Sequence, residues 1–404
     1  KNLNLVTKDS LYELNIEEFA IEKNAVYLRN ASYRPTEKNH NTKIFTFRSP
    51  LLKLNNVNFE DLLSKRLNAT DAELYEPQIF FKVEKKRRNN AGGGSKKQSQ
   101  DKFYNTLNAL SELVFVKNFR IINGNLKYQS TGASEASMQM QNINALVLPE
   151  QLFSSDSLVD VKGALPAVAI GSTSFTAPKA SFKVFGFTFQ GDVRHNYATK
   201  FELNLANGTS LRGKDLSWVR FDWDRYQNYK QIQVNTMHVK ELAVQTVYRS
   251  KGIKEPVAKD LPVIHLDRID IDKISFDQSV ASSVAMHGEK VCADNINSLK
   301  NAFTWNNAEG LFHNIEINQP EFYAKVTSVD LNTQSRSGIS KAAIQIKKPG
   351  SLIQLAIPHI AVDFQLHSSD FTSIDLPSLY IQSPDIEIKQ TKTAHVTSPA
   401  VVAV

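Results

Sequence analysis

One cysteine, Cys292, stands in 404 residues, so neither an intramolecular disulfide nor a cysteine-rich metal cluster can form. It reads as a small, partly buried filler. Its isolation suits a Gram-negative periplasm or a cytosol and argues against a disulfide-stapled secreted domain. No run of about 18 apolar residues occurs, which leaves no spanning helix and no signal peptide in the sequence. Lys1 opens it without methionine, and it reads as a processed or trimmed piece. Trp218, Trp223 and Trp305 are too few for the aromatic platforms of a glycan-binding adhesin. Charge of one sign is scarce as well. The 48 basic and 41 acidic residues leave +7, and apart from "KKRR" at 85–88 and Lys96-Lys97 the cations are singlets. That favours mild attraction to anionic surfaces and no nucleic-acid partner.

Catalytic signatures are missing too. No Gly-x-Ser-x-Gly elbow is present, and Cys292 in "EKVCADN" has no histidine site to activate it. His359, Asp363 and His367 share parity along one strand, but i and i+8 lie roughly 27 Å apart, too far for one metal. Asp267, Asp270 and Asp272 lack the calcium-loop spacing, and Asp272 is expected in a hairpin turn. "RRNNAGGGSKKQSQ" has no Gly-Lys-Ser/Thr step and reads as a flexible basic loop over about 87–100. Neither an enzyme, a cofactor nor a metal site is expected.

What is present is alternation with period two. "FAIEKNAVYL" (19–28) reads as a hairpin about Lys23-Asn24 that sets Ile21 against Val26 and Phe19 against Leu28. "FRIINGNLKY" (119–128) reads the same way about Asn123-Gly124, with Ile121 against Leu126 and Phe119 against Tyr128. "IDIDKISF" (269–276) is a third, turning at Asp272-Lys273. A proline-led strand also recurs. "ELYEPQIFFKV" (73–83) returns as "EINQPEFYAKV" (316–326) and, more eroded, as "YIQSPDIEIKQ" (380–390), each preceded by "PLLKL", "PVIHL" or "PHIAV". Proline is expected at the strand heads, where a missing N–H costs the ladder least.

Further strands are expected at 180–193, 199–207, 230–239 and 241–249. In the first, apolarity changes face near Val184 and Phe185, as a bulge or bend at Gly186 would produce. Short helices are expected at 60–66, 101–114 and around Ile296, Leu299 and Phe303. The fold class is mainly β: an elongated, twisted, mostly antiparallel sheet curved into a groove from repeated strand-hairpin units, with a few short helices. A single repeat-built domain is expected over 1–390, with a tail or linker at 391–404.

A one-sided sheet of on the order of 20 strands would run about 100 Å and leave an apolar trough larger than soluble monomers tolerate uncovered. Such a trough needs a greasy occupant. Its lining is expected to include Ile79, Phe81 and Val83, the 119–128 residues Phe119, Ile121, Leu126 and Tyr128, then Phe322 and Val326, and finally Ile386 and Ile388. Repetition is how a chain lengthens such a trough.

"LYELNIEEFAIEKNAVYLRNASYRP", "PLLKLNNVNFEDLLSKRLNATDAELYEPQIFFKVEK" and "LSELVFVKNFRIINGNLKY" together resemble the AsmA-like proteins, particularly those of Bacteroidota. The resemblance covers about residues 9–130, with weaker echoes at 262–326 and 353–390. It implies kinship with the bridge-like lipid-transfer superfamily and its repeating β-groove. It further implies a periplasm-facing protein held to the inner membrane by an N-terminal anchor that this sequence lacks. The partners implied are a phospholipid or other acyl lipid, with envelope proteins as further candidates. The alternative is an envelope scaffold that binds outer-membrane or secretion proteins through its sheet edges or polar face.

Overall fold

Alternating apolar and polar residues form strands through most of the chain. The computed structural model describes residues 2–60, 67–85, 114–132, 135–153, 161–190, 196–222, 225–226, 229, 231–248, 263–280, 283–298, 303–333, 335–349, 351–365 and 375–390. The chain packs as two units, residues 1–206 with 212–227 and residues 207–211 with 228–404.

The first unit begins with β1 (Leu3–Val6), β2 (Tyr12–Glu22), β3 (Ala25–Pro35) and β4 (Lys43–Asn58), each antiparallel to the next. β4 then pairs along its length with both β5 (Leu67–Tyr75) and β6 (Gln78–Lys85). β7 (Val114–Gly132) lies parallel to both of these in one register, Tyr75 beside Ile122 and Gln78 beside Asn125. β8 (Ala136–Val147) follows antiparallel, then the short helices α1 (Pro149–Phe153) and α2 (Val161–Ala164). β9 (Ala167–Ala177), β10 (Ala180–Gln190) and β11 (Asn196–Leu205) continue the antiparallel order, and β12 (Ser210–Phe221) comes next in the chain.

The second unit starts with a parallel pair, β13 (Gln231–Tyr248) and β14 (Val263–Val280). β15 (Ser283–Ser298), the two-residue β16 (Phe303–Thr304), β17 (Asn307–Gln319), β18 (Phe322–Asn332), β19 (Arg336–Lys348) and β20 (Ser351–Gln365) follow antiparallel. β21 (Asp375–Gln382) and β22 (Asp385–Gln390) both pair with β20. The protein is thus mainly β and mostly antiparallel.

The hairpin at 19–28 forms in the expected register, Ile21 beside Val26 and Phe19 beside Leu28, with Lys23 at φ 49°. The one at 119–128 does not. β7 runs straight through Asn123-Gly124, so Ile121 and Leu126 lie along one strand and do not face each other. The cause lies in its neighbours, since β5 and β6 pair with one edge of β7 and β8 with the other. A type I′ turn needs positive φ at both central residues, and only Asn123 has it, at 54°. The glycine serves close packing instead, since a Cβ there would meet Ile121 Cγ2 at 2.8 Å and Pro77 Cγ at 3.1 Å. β14 likewise runs through Asp272-Lys273, and β13 joins the strands expected at 230–239 and 241–249. The helix expected around Ile296 is replaced by strand at Asn295–Ser298 and at Phe303–Thr304. The loop at 87–100, the helix at 101–113, most of that at 60–66, Pro262 and the tail at 391–404 lie outside the described residues.

Pro77 and Pro384 stand at the heads of β6 and β22 as expected, and Pro50, Pro320 and Pro358 do not. Pro50 and Pro358 sit inside β4 and β20, and Pro77 and Pro384 follow the left-handed residues Glu76 and Ser383. Pro50 falls between the paired rungs Arg29–Leu51 and Ala31–Ser49, opposite Asn30 at φ 51°. A missing N–H costs little where the ladder is interrupted. Pro320 is different: it lies in the turn between β17 and β18, so the middle proline strand is not equivalent to the other two.

These interruptions align from strand to strand. Neighbouring registers place Glu17 beside Asn30, then Pro50, Glu76 and Asn123. Farther along, Asn142 lies beside Gly171, then Gly186 and Thr199. Asn30, Glu76, Asn123, Asn142 and Gly186 all have φ between 46° and 59°. At this crease the apolar set changes parity. Tyr12, Leu14 and Ile16 give way to Phe19 and Ile21 in β2. In β3 the change is from Val26 and Leu28 to Ala31 and Tyr33, and in β8 from Met138 and Met140 to Ile143 and Ala145. The switch expected at Gly186 is one instance of this pattern.

A second crease at Asn56, φ 51°, shows why the parity must change. Leu54 and Val57, on either side of it, belong to one buried cluster with Val26, and so do Ala69 and Ala72 across the interruption in β5. A left-handed residue rotates the strand, and the alternation shifts by one so that the same face stays apolar. The second unit repeats the device. Lys290, Asn314, Lys341 and Ser383 have φ between 42° and 52°, with Lys341 beside Pro358 and Pro358 beside Ser383.

Candidate functional site

The apolar face of the first unit is a set of ladders that run from strand to strand. One passes from Phe45 to Phe81, Tyr128, Met138, Phe175, Phe182 and Leu203, each directly opposite the next. Seven strands at about 4.8 Å spacing make it roughly 29 Å long. Ring contacts lengthen it on the β2 side. Phe45 and Phe81 have centroids 4.8 Å apart, Tyr33 and Phe45 5.9 Å, and Tyr12 stacks on Tyr33 at 4.8 Å with the planes 7° apart. Offset and tilted pairs of this kind add to what burial alone gives. Burial pushes the Tyr33 phenol above its ordinary pKa, and the neighbouring Tyr12 and Asp9 push the same way.

Beyond the crease a second ladder runs Phe19, Leu28, Leu52, Leu74, Ile121, Ala145, Val168 and Phe189. It is buried at Leu74 and Phe189, Leu28 and Leu52 pack partly buried on the Val26–Leu54 cluster, and it ends exposed at Phe19, 44%. The first ladder opens towards its far end, Phe175 being 36% and Phe182 37% exposed.

The second unit carries its own ladders. Phe322, Ile346, Ile353 and Ile388 form one, and Ala324, Ile344, Leu355 and Ile386 the next. They end exposed, Ile386 at 59% and Ile388 at 61%.

Of the expected lining residues, Phe81, Tyr128, Ile121, Phe322, Ile386 and Ile388 fall on these ladders, and the others lie on neighbouring rows. Ile79 and Leu126 are partners, as are Phe81 and Tyr128, through the parallel pairing of β6 with β7. Val83 pairs with Ser130 in the same strands. Phe119 and Ile121 lie beyond the crease, beside Ala72 and Leu74 of β5. Phe322 and Ile388 share a ladder, Ile386 occupies the adjacent one, and Val326 begins a further row through Ala342 and Ile357. Sequence reasoning missed Phe45, Met138, Phe175 and Phe182. The parity shift within each strand gives the face of each one, but not the order in which they meet across strands.

The opposite faces are more polar and carry several ion pairs. Glu18 reaches Arg29 at 3.5 Å in the first unit. In the second, His238 Nε2 is 3.0 Å from Asp272, His265 Nε2 is 3.0 Å from Asp267, and Arg268 bridges Asp270 at 2.7 Å and Asp294 at 3.2 Å. Asp272 therefore works at a crease, beside Lys290, and not in a turn. No group of three or more metal-ligating side chains occurs among the described residues, and no described helix is long and apolar enough to cross a membrane. Cys292 is buried, and its Sγ donates to Glu309 Oε1 at 3.0 Å. Desolvation first, and that contact second, push the thiol up to about 11.

No family model, no curated protein and no solved structure matches the chain.

Proposed function

We propose that the protein is a non-enzymatic lipid-binding or lipid-transfer protein of the Gram-negative envelope, and that acyl chains lie along the apolar ladders of its sheets. The observation that carries this reading is the Phe45-to-Leu203 ladder, an apolar row kept on one face across seven strands and left half open at Phe175 and Phe182. Its length of roughly 29 Å equals about two acyl chains end to end, since two leaflets of chains make a hydrocarbon core of about 30 Å. Burying about fourteen methylenes at about 0.8 kcal/mol each supplies roughly 10 kcal/mol, enough to hold a lipid without any residue-specific chemistry. The resemblance of residues 9–130 to AsmA-like proteins points to phospholipid moving between inner and outer membrane, or to outer-membrane maintenance. Anchorage to the inner membrane belongs to the same proposal.

The test is native mass spectrometry of gently purified protein, followed by solvent extraction and lipid identification. Stoichiometric phospholipid is expected, and it should fall several-fold in Phe175→Asp and Phe182→Asp variants whose circular dichroism matches the parent. A lipid-free mass, or loading unaffected by both substitutions, sinks the proposal and favours a closed β core that serves as an envelope scaffold.

A further inference from the structure

The polar side of the first unit holds an open cleft of about 690 Å³ where the crease bends the sheet, its lining drawn from β2, β3, β4, β6, β7 and β8. Two consecutive rungs furnish its floor. One is Arg48, Gln78 and Asn125, and the other is Thr46, Phe80 and Lys127. The charges on these rungs are not balanced. Glu17, which also lines the cleft, accepts from Asn30 Nδ2 at 2.7 Å and keeps its negative charge, and Arg34 is taken by Glu13, so the two remaining cations outnumber the one remaining anion. Arg48 and Lys127 have no ion-pair partner among the described residues. Lys127 Nζ sits 5.7 Å from the Phe80 ring centroid, which leaves its remaining donors free.

We infer that this cleft binds an acidic saccharide. Two cations about 12 Å apart at their Cα atoms, by strand spacing and rise, converge through long side chains on a single anionic group. Around them the amides of Gln78 and Asn125 and the Thr46 hydroxyl offer donors and acceptors in mixed order, as a polyhydroxylated ring requires. The half-buried Phe80 ring gives the C–H face of a sugar an apolar surface. The concavity disfavours a flat bilayer surface, and two unpaired cations are too few to follow a nucleic-acid backbone. Tyr33, Phe47, Ile79 and Leu126 of the apolar rows also border the cleft, but Arg48, Phe80 and Lys127 alternate with the ladder residues Phe45, Phe81 and Tyr128 along their strands, so binding there is read by charge and not by an acyl chain.

Isothermal titration of the full chain with trigalacturonate and with its neutral methyl ester tests it, alongside titration with phosphatidylcholine vesicles that carry a glucuronosyl glycolipid. Saturable one-to-one binding of the acid form is expected, at least tenfold tighter than the ester. Arg48→Gln, Lys127→Gln and Phe80→Ala should each weaken it about tenfold, and raising the salt to 0.5 M should weaken it further. Binding to the free oligomer assigns a soluble glycan as the source, and binding confined to the vesicles assigns a glycolipid headgroup. Either supports the site. It is overturned if neither acidic probe binds, if the ester binds as well as the acid, or if Arg48→Gln and Lys127→Gln leave affinity unchanged.

Discussion

Replacing Gly186 with alanine puts the crease to its sharpest test. Gly186 has φ +59°, and a Cβ there would lie 2.6 Å from Thr199 Oγ1 and 2.7 Å from its Cγ2. The left-handed backbone costs an L-residue about 1–2 kcal/mol. Overpacking adds about 1–3 kcal/mol, and the stiffer unfolded chain returns about 0.4–1 kcal/mol. The net is a loss of about 2–4 kcal/mol. The two costs separate in a double-mutant cycle, because Thr199→Ala removes both atoms closer than 3.0 Å and leaves only its own Cβ, at 3.2 Å. Gly186→Ala should therefore be about 1–2 kcal/mol less damaging in the Thr199→Ala background. Urea unfolding gives the energies, and amide exchange in β10 and β11 shows whether the loss is local. A cost below about 0.5 kcal/mol, or one that is the same in both backgrounds, would refute the account of the crease.

At Asn123, also left-handed, valine should cost about 1–2 kcal/mol and glycine should stay within about 0.5 kcal/mol of the parent, read from urea midpoints. Equal effects would mean the backbone is not held there. For Cys292 the folded thiol titrates near 11 against an ordinary 9, so the folded state keeps its proton while the unfolded state loses one. Its contribution is complete below pH 9 and fades as pH rises towards 11, and Glu309→Gln should bring forward the pH at which iodoacetamide labels the thiol. Asp363 is held below the usual carboxylate value, first by Ser378 and then by Arg336. Its contribution is present above the unfolded value and lost as pH falls through the folded one, and Ser378→Ala should move its carbon-13 titration upward.

The hairpin at Lys23-Asn24 was legible because turn chemistry and flanking alternation agreed, and nothing distant intervened. Asn123-Gly124 looked the same locally and became a kink. Its neighbours decide the matter: Asn125 N donates to Pro77 O, Glu76 N donates to Ile122 O, and β8 lies along the other edge. Both edges of β7 are therefore used on either side of Asn123, from Phe119 to Ser130, which a hairpin at its middle would forbid. The pairings Ile79–Leu126 and Phe81–Tyr128 depend on a parallel register that no local pattern contains. Phe45, Met138, Phe175 and Phe182 were hidden for the same reason, since cross-strand order is not written in any one strand. The parity shift was visible throughout. It reads as noise in one strand and as a crease only when aligned shifts in neighbouring strands are placed side by side.

The creases also decide which direction along the face is continuous. β4 spans sixteen residues, β7 nineteen and β13 eighteen, and along any such strand the alternation is interrupted. Across the strands nothing interrupts it, since each interruption lies beside the next and the ladders on either side keep their registers. Neighbouring strands rotate by about −20 to −25°, so a straight ladder becomes a twisted row whose side chains still meet at each rung. A long apolar ligand therefore finds an unbroken surface only when it lies across the strands. Phe81→Asp should then disrupt binding along its own ladder while leaving the Leu28-to-Phe189 ladder beyond the crease in place. Photo-crosslinkers at Phe175 and Phe19 would separate the two rows. If charge at Phe81 abolished lipid capture at both positions in a folded variant, the rows would be one site and the crease no boundary.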